Sequence, residues 1–135
     1  MTPALQDQAL NIALALPNGA ATTTSTALDT QNSAKGDFSA SVQLQISAPA
    51  LTTGELANAA TVTYDVYHAT AADLSNGVAL YKGVLVQTGA GGAGAGAATA
   101  NFKLPTTVKR YVYFKATNSG AGNLSAKSAS LLPLF

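Results

Sequence analysis

Apolar side chains recur at every second position along most of this chain. Leu10, Ile12, Leu14 and Leu16 alternate with Asn11, Ala13 and Ala15, the period of a strand with one buried face. The clearest case sets Phe38, Ala40, Val42, Leu44 and Ile46 against Ser39, Ser41, Gln43, Gln45 and Ser47. One face there meets a core while the other stays polar without charge. Val62, Tyr64 and Val66 oppose Thr63, Asp65 and Tyr67. Ala98, Ala100, Phe102 and Leu104 oppose Thr99, Asn101 and Lys103, and Val112, Phe114 and Ala116 oppose Tyr111, Tyr113 and Lys115. Residues 78–81 and 84–87 predict two strand pieces with Gly83 as a bulge or kink between them, and residues 125–132 predict a last strand before Pro133.

Punctuation agrees with this spacing. Pro17-Asn18-Gly19, Asn76-Gly77 and Ser119-Gly120-Ala121-Gly122 are turn signals, and Pro49 and Pro105 end strands. The Thr-rich run at 22–28 is strand-compatible but has almost no apolar face, which leaves an edge strand and an extended arm as alternatives. Residues 51–60 are compatible with a short helical turn. Seven to nine short strands, no long helix and regular Gly or Pro breaks predict an all-β, antiparallel jelly-roll or β-sandwich fold. The 135 residues make one domain, with a possible extended N-terminal segment and a flexible Gly/Ala loop at 88–97.

Composition changes the picture at the surface. Charged residues are 10% of the chain, against about 25% in an average soluble domain, so the exterior is unusually neutral. The few charges are segregated. Residues 1–73 hold all six acids against Lys35 alone, a net of −5, and residues 74–135 hold six bases and no acid, a net of +6. Such a division joins the halves within one molecule or steers one copy to the next. A net charge of +1 argues against nucleic acid as partner, since the acidic half opposes phosphate. The N-terminus lacks a basic leader region and the apolar segment at 10–16 is too short to span a bilayer, so no membrane partner and no Sec export are expected.

Candidate chemistry is sparse. No cysteine is present, which removes disulfides, thiolate catalysis and cysteine metal sites. Gly89-Ala90-Gly91-Gly92-Ala93-Gly94 spells a dinucleotide-binding pattern, but it leads into a strand rather than a helix and no acid follows it. A mobile hairpin tip is the expected reading. His68 is the single histidine, and Asp65, three residues earlier on a strand, points to the opposite face. The scattered acids form no general acid/base pair and no calcium loop. No catalytic residue, cofactor, metal or small-molecule substrate is therefore expected, and the chain reads as a non-enzyme.

Two groups remain as partner-contact candidates. Lys103, Lys109, Arg110 and Lys115 form the densest basic cluster, and Tyr67, Tyr111 and Tyr113 form a second group if they lie outward on neighbouring strands. The tyrosines would form either a flat platform for a sugar or protein, or cross-strand pairs that support the sheet.

The order of features resembles the jelly-roll cement, or decoration, proteins of tailed-bacteriophage heads, of the kind found in a Bordetella-infecting phage. The resemblance rests on a small cysteine-free Ala/Thr/Gly-rich composition, the tract at 89–96, the run Lys109-Arg110-Tyr111-Val112-Tyr113-Phe114-Lys115-Ala116-Thr117, and the ending Ser125-Ala126-Lys127-Ser128-Ala129-Ser130-Leu131-Leu132. It implies a jelly roll made in the host cytoplasm that binds the outside of an assembled head. There it bridges major capsid subunits against internal DNA pressure. The expected partners are the major capsid protein and further copies of the chain, as homodimer or homotrimer. The alternative is a carbohydrate- or protein-binding β-sandwich module of a phage fibre or cell surface.

Overall fold

Among the described residues there are nine strands: β1 (Ile12–Ala15), β2 (Thr22–Thr24), β3 (Leu28–Asp29), β4 (Gln43–Ala48), β5 (Thr61–Ala69), β6 (Val78–Thr88), β7 (Ala98–Lys103), β8 (Tyr111–Asn118) and β9 (Ser128–Leu134). The structure is a computed structural model that describes residues 11–29, 43–105 and 107–134. The expected N-terminal segment before residue 11 and the part of the predicted fourth strand at 38–42 lie outside them. No helix occurs among the described residues.

One sheet has the order β1-β9-β4-β7, and the other β2-β8-β5-β6 with β3 also on β8. β2 and β3 lie end to end along β8, pairing with its second and first halves respectively, and so occupy one strand position. The pairings then nest. β1 pairs β9, β2 and β3 pair β8, β4 pairs β7 and β5 pairs β6, all antiparallel. β9 also pairs β4 and β8 also pairs β5, which wraps this nested ribbon into the jelly-roll order. The Thr-rich run is thus an edge strand rather than a free arm.

The inward positions read from the spacing are the core. Leu14, Leu44, Ile46 and Leu131 from the first sheet face Val62, Tyr64, Val66, Val112 and Phe114 from the second, all buried. Each large apolar side chain so placed gains roughly 1.5–3 kcal/mol from leaving water. β9 runs further than its pattern predicts and includes Pro133. Pro133 lies opposite Leu44 of β4, two residues past Leu131, which pairs with Ile12 of β1.

Four connections, β1–β2, β4–β5, β6–β7 and β8–β9, gather at one end and each crosses between the sheets. The Gly/Ala tract belongs to this group, which corrects the hairpin reading: β6 and β7 lie in different sheets. The tract is pinned to the β4–β5 connection. Leu51 and Ala95 exchange backbone bonds of 2.8 and 2.9 Å, Gly89 exchanges bonds with Ala59 and Ala60, and the Gly92 N–H donates to Asn58 Oδ1 at 2.9 Å. The turn expected within 51–60 is present as a single turn at 52–56, where the Leu56 N–H donates to the Thr52 carbonyl at 2.8 Å, followed by a second turn closed by Ala60 N–H on the Ala57 carbonyl at 3.1 Å. Thr52 N–H donates to Glu55 Oε1 at 2.9 Å and Glu55 N–H to Thr52 Oγ1 at 3.3 Å, the reciprocal pattern of a capping box with no helix after it. The Thr52-Thr53-Gly54-Glu55 spacing carried that signal.

Buried polar side chains tie this end to the sheets. Gln87 accepts from the Tyr64 hydroxyl at 2.8 Å and donates to the carbonyls of Pro49 and Gly96 at 2.8 and 3.0 Å. Asn118 donates to the carbonyls of Gly19 and Gly122 and accepts from Gly120. Each holds loops from both sheets, satisfying backbone groups that water does not reach.

Candidate functional site

The outer face of the second sheet collects most of the candidate residues because β5 and β8 are neighbours. Tyr67 lies directly opposite Tyr113, Asp65 opposite Lys115, and Ala69 opposite Tyr111. The Tyr67 and Tyr113 rings stand 5.7 Å apart at a tilt of 30°, the cross-strand aromatic pair that supports a sheet. Lys115 Nζ sits 4.3 Å from the centre of the Tyr67 ring. Lys82, delivered by β6, lies 5.2 Å from the same ring, donates to the Tyr67 hydroxyl at 3.0 Å and stands 3.6 Å from the Asp65 carboxylate. The Tyr67 hydroxyl first and Asp65 second hold the Lys82 pKa above its ordinary value.

Gly83 explains why Lys82 reaches this point. It has φ +63°, and its N–H turns out of the ladder to donate to Asp65 Oδ1 at 2.7 Å. The β5–β6 register shifts in the facing segment between Tyr64 and Tyr67, as expected of the bulge that the sequence places there.

Tyr113 is not presented to a partner. Its side points outward, yet only 3% of the residue is exposed, because the β5–β6 connection folds over it and its hydroxyl occupies the space a side chain on Gly77 would take. Burial, and then Tyr67, raise its phenol pKa. Tyr111, the next position on the same face of β8, lies beneath the Arg110 guanidinium at 5.2 Å. Arg110 grips Asp29 through Nε–Oδ1 at 2.8 Å and Nη2–Oδ2 at 2.9 Å, a bidentate geometry. The three tyrosines therefore do not make one open platform.

The basic cluster is also divided. Lys103 ends β7 on the outer face of the first sheet, opposite Gln43, while Lys115 lies on the second. The connection through Pro105 changes sheets, so proximity in sequence does not become one patch. Lys109 contributes through its backbone: its N–H donates to His68 Nδ1 at 3.1 Å.

His68 faces inward, away from Asp65, and is 8% exposed. Burial first and Lys109 second lower its pKa. The unfolded chain therefore binds this proton more readily, so His68 makes folding stability fall as pH drops below about 6.5 and adds no such dependence above it. His68→Asn keeps an acceptor for the Lys109 N–H but does not titrate. Thermal melts across that range should show the acid loss in the parent chain and a flatter profile in the variant.

The charge division becomes contact within one chain. Among the described residues the ion pairs are Asp65–Lys82 at 3.6 Å, Asp29–Arg110 at 2.8 Å and Glu55–Lys127 at 2.9 Å. Each joins the acidic half to the basic half. Lys127 also donates to the Ala50 carbonyl at 2.8 Å, and the Glu55 pKa is lowered by the Thr52 N–H and then by Lys127. Asp65, Lys82 and Gln87 were absent from the sequence-derived candidates. Only Gly83, as a bulge signal beside Lys82, pointed toward this corner.

No protein-family model and no curated protein matches this chain. The geometry accordingly stands by itself: a low-charge outer face on which two lysines bracket a tyrosine. Among the described residues no group of three or more His, Asp or Glu is placed to hold a metal ion, and no helix is long and apolar enough to cross a membrane.

Proposed function

We propose that this chain is a non-enzymatic capsid cement, or decoration, protein that binds the exterior of a tailed-phage head and bridges major capsid subunits. The observation that supports this reading is the nested jelly-roll strand order, the architecture implied by the family resemblance. The surface supplies the means. Asp29, Glu55 and Asp65 are matched by bases of the same chain, so much of the charge is compensated before a partner arrives. The outer face of the second sheet then offers Thr22, Thr63, Thr117 and Tyr67, uncharged side chains that hydrogen-bond and stack at less desolvation cost than charged ones.

The test is reconstitution. Heads assembled from the major head protein encoded with this chain should take up the purified chain to a fixed saturating ratio on co-sedimentation, and decorated heads should retain packaged DNA at temperatures that empty bare ones. Absence of the chain from washed heads, at any input, would refute the cement role. The binding-module alternative needs a concave or aromatic surface that retains a ligand, and the covered Tyr113 takes one of the three tyrosines out of the aromatic form of it.

A further inference from the structure

β6 departs from the burial pattern of β5, its ladder partner, and of β4 in the other sheet. β4 and β5 alternate buried and half-buried positions along their length. β6 reads Val78-Ala79-Leu80-Tyr81-Lys82-Gly83-Val84-Leu85-Val86-Gln87-Thr88, yet its one buried residue is the polar Gln87 and none of its apolar side chains is fully buried. A near-continuous apolar run is the composition of a strand covered on both faces. Val78 and Val86, at 46% and 49%, are the exposed large hydrophobic residues among those described, and both are on this strand.

β6 is also the outermost strand of its sheet, with β5 as its ladder partner, and at 11 residues the longest of the nine. Such an edge presents a row of backbone donors and acceptors to another strand. The other described edges are shorter or polar: β1 and β2 have only 4 and 3 residues, and β7, with 6, exposes Thr99, Asn101 and Lys103.

We propose that β6 pairs antiparallel with β6 of a second copy about a two-fold axis, joining the second sheets of two chains into one. An antiparallel pair of identical strands satisfies a two-fold axis by construction, each residue i meeting j while j meets i. The charge pattern fits this occupant. Lys82 is the single charge on β6 and is compensated by Asp65 of its own chain. Residues 84–88, beyond the Gly83 bulge, carry no charge. An axis near Val86 pairs residues 84–88 of the two strands with each other and puts the two Lys82 residues about 26 Å apart along the ladder at 3.3 Å per residue, well past the screening length of about 8–10 Å in ordinary salt. Two apolar edges then meet without repulsion, and Val86 packs against its mate. The pairing gives the self-association of the cement reading a specific surface, but it is read in solution and does not require a head.

Sedimentation equilibrium of the full chain should give twice the monomer mass. Val86→Lys places a lysine from each chain at the axis and should weaken association about a hundredfold. Thr24→Lys, on the opposite edge of the same sheet, should leave the mass unchanged. Because the chain has no cysteine, Val86→Cys supplies a second readout: opposed positions on antiparallel strands fall within disulfide reach, so mild oxidation should trap a linked dimer, whereas Thr24→Cys should not. A chain that stays monomeric at all concentrations, or a dimer that Val86→Lys leaves intact, overturns the proposal. Failure to bind heads with the dimer intact would remove only the cement reading.

Discussion

Gly94→Ala should destabilise the domain by about 3–4 kcal/mol, while the same substitution at Gly92 should cost only about 1 kcal/mol. Both glycines have left-handed backbones, with φ of +70° and +68°, so the conformational penalty is common to them. They differ in surroundings. A Cβ on Gly92 meets nothing within 4 Å, whereas one on Gly94 runs into the Leu51 carbonyl oxygen and the Thr52 backbone. That carbonyl accepts the Ala95 N–H at 2.9 Å, and Leu51 itself is 2% exposed. The bridge must open to admit the methyl group, uncovering Leu51 and loosening the arch that joins β6 to β7. Urea denaturation of the two variants checks this directly, with equal losses counting against the docked tract.

The second large effect centres on Gln87. Gln87→Leu keeps approximate size but leaves the Tyr64 hydroxyl without its acceptor and the Pro49 and Gly96 carbonyls without their donor. Buried polar groups stranded in this way cost roughly 1–3 kcal/mol each, so a total loss of about 3–5 kcal/mol is expected. Tyr64 is fully buried and burial raises its phenol pKa strongly, keeping it a neutral donor across the working pH range. Tyr64→Phe alone should cost about 1 kcal/mol, and adding it to Gln87→Leu should cost less than the sum, because one stranded hydroxyl disappears. Additive losses in the double-mutant cycle would mean that the Tyr64–Gln87 bond carries no coupling.

Much of the candidate surface was legible in part. That Tyr67, Tyr111, Tyr113 and Lys115 point away from the core follows from the alternation of β5 and β8. That Tyr113 is nevertheless covered does not, since the covering comes from the β5–β6 connection folding back over the sheet. Lys103 and Lys115 show the same limit: twelve positions apart in sequence, they end on opposite faces of the molecule because β7 and β8 belong to different sheets.

Period two by itself determined the buried faces of β1, β4, β5 and β8, because side-chain direction alternates along any extended backbone whatever lies beside it, whereas β6 buries the polar Gln87 and β9 continues through Pro133. It also determined that this is an all-β chain with a sparsely charged exterior divided into an acidic and a basic half. Which strands share a sheet, and which base meets which acid, only the tertiary structure decided. Asp29 and Arg110 stand 81 residues apart in the chain and meet because β3 docks against β8. Such a meeting depends on the nesting of the whole ribbon, and a local pattern holds no information about a partner so distant. The structure turned the charge division into bonds within one chain, and placed the apolar strand β6 at the edge of its sheet.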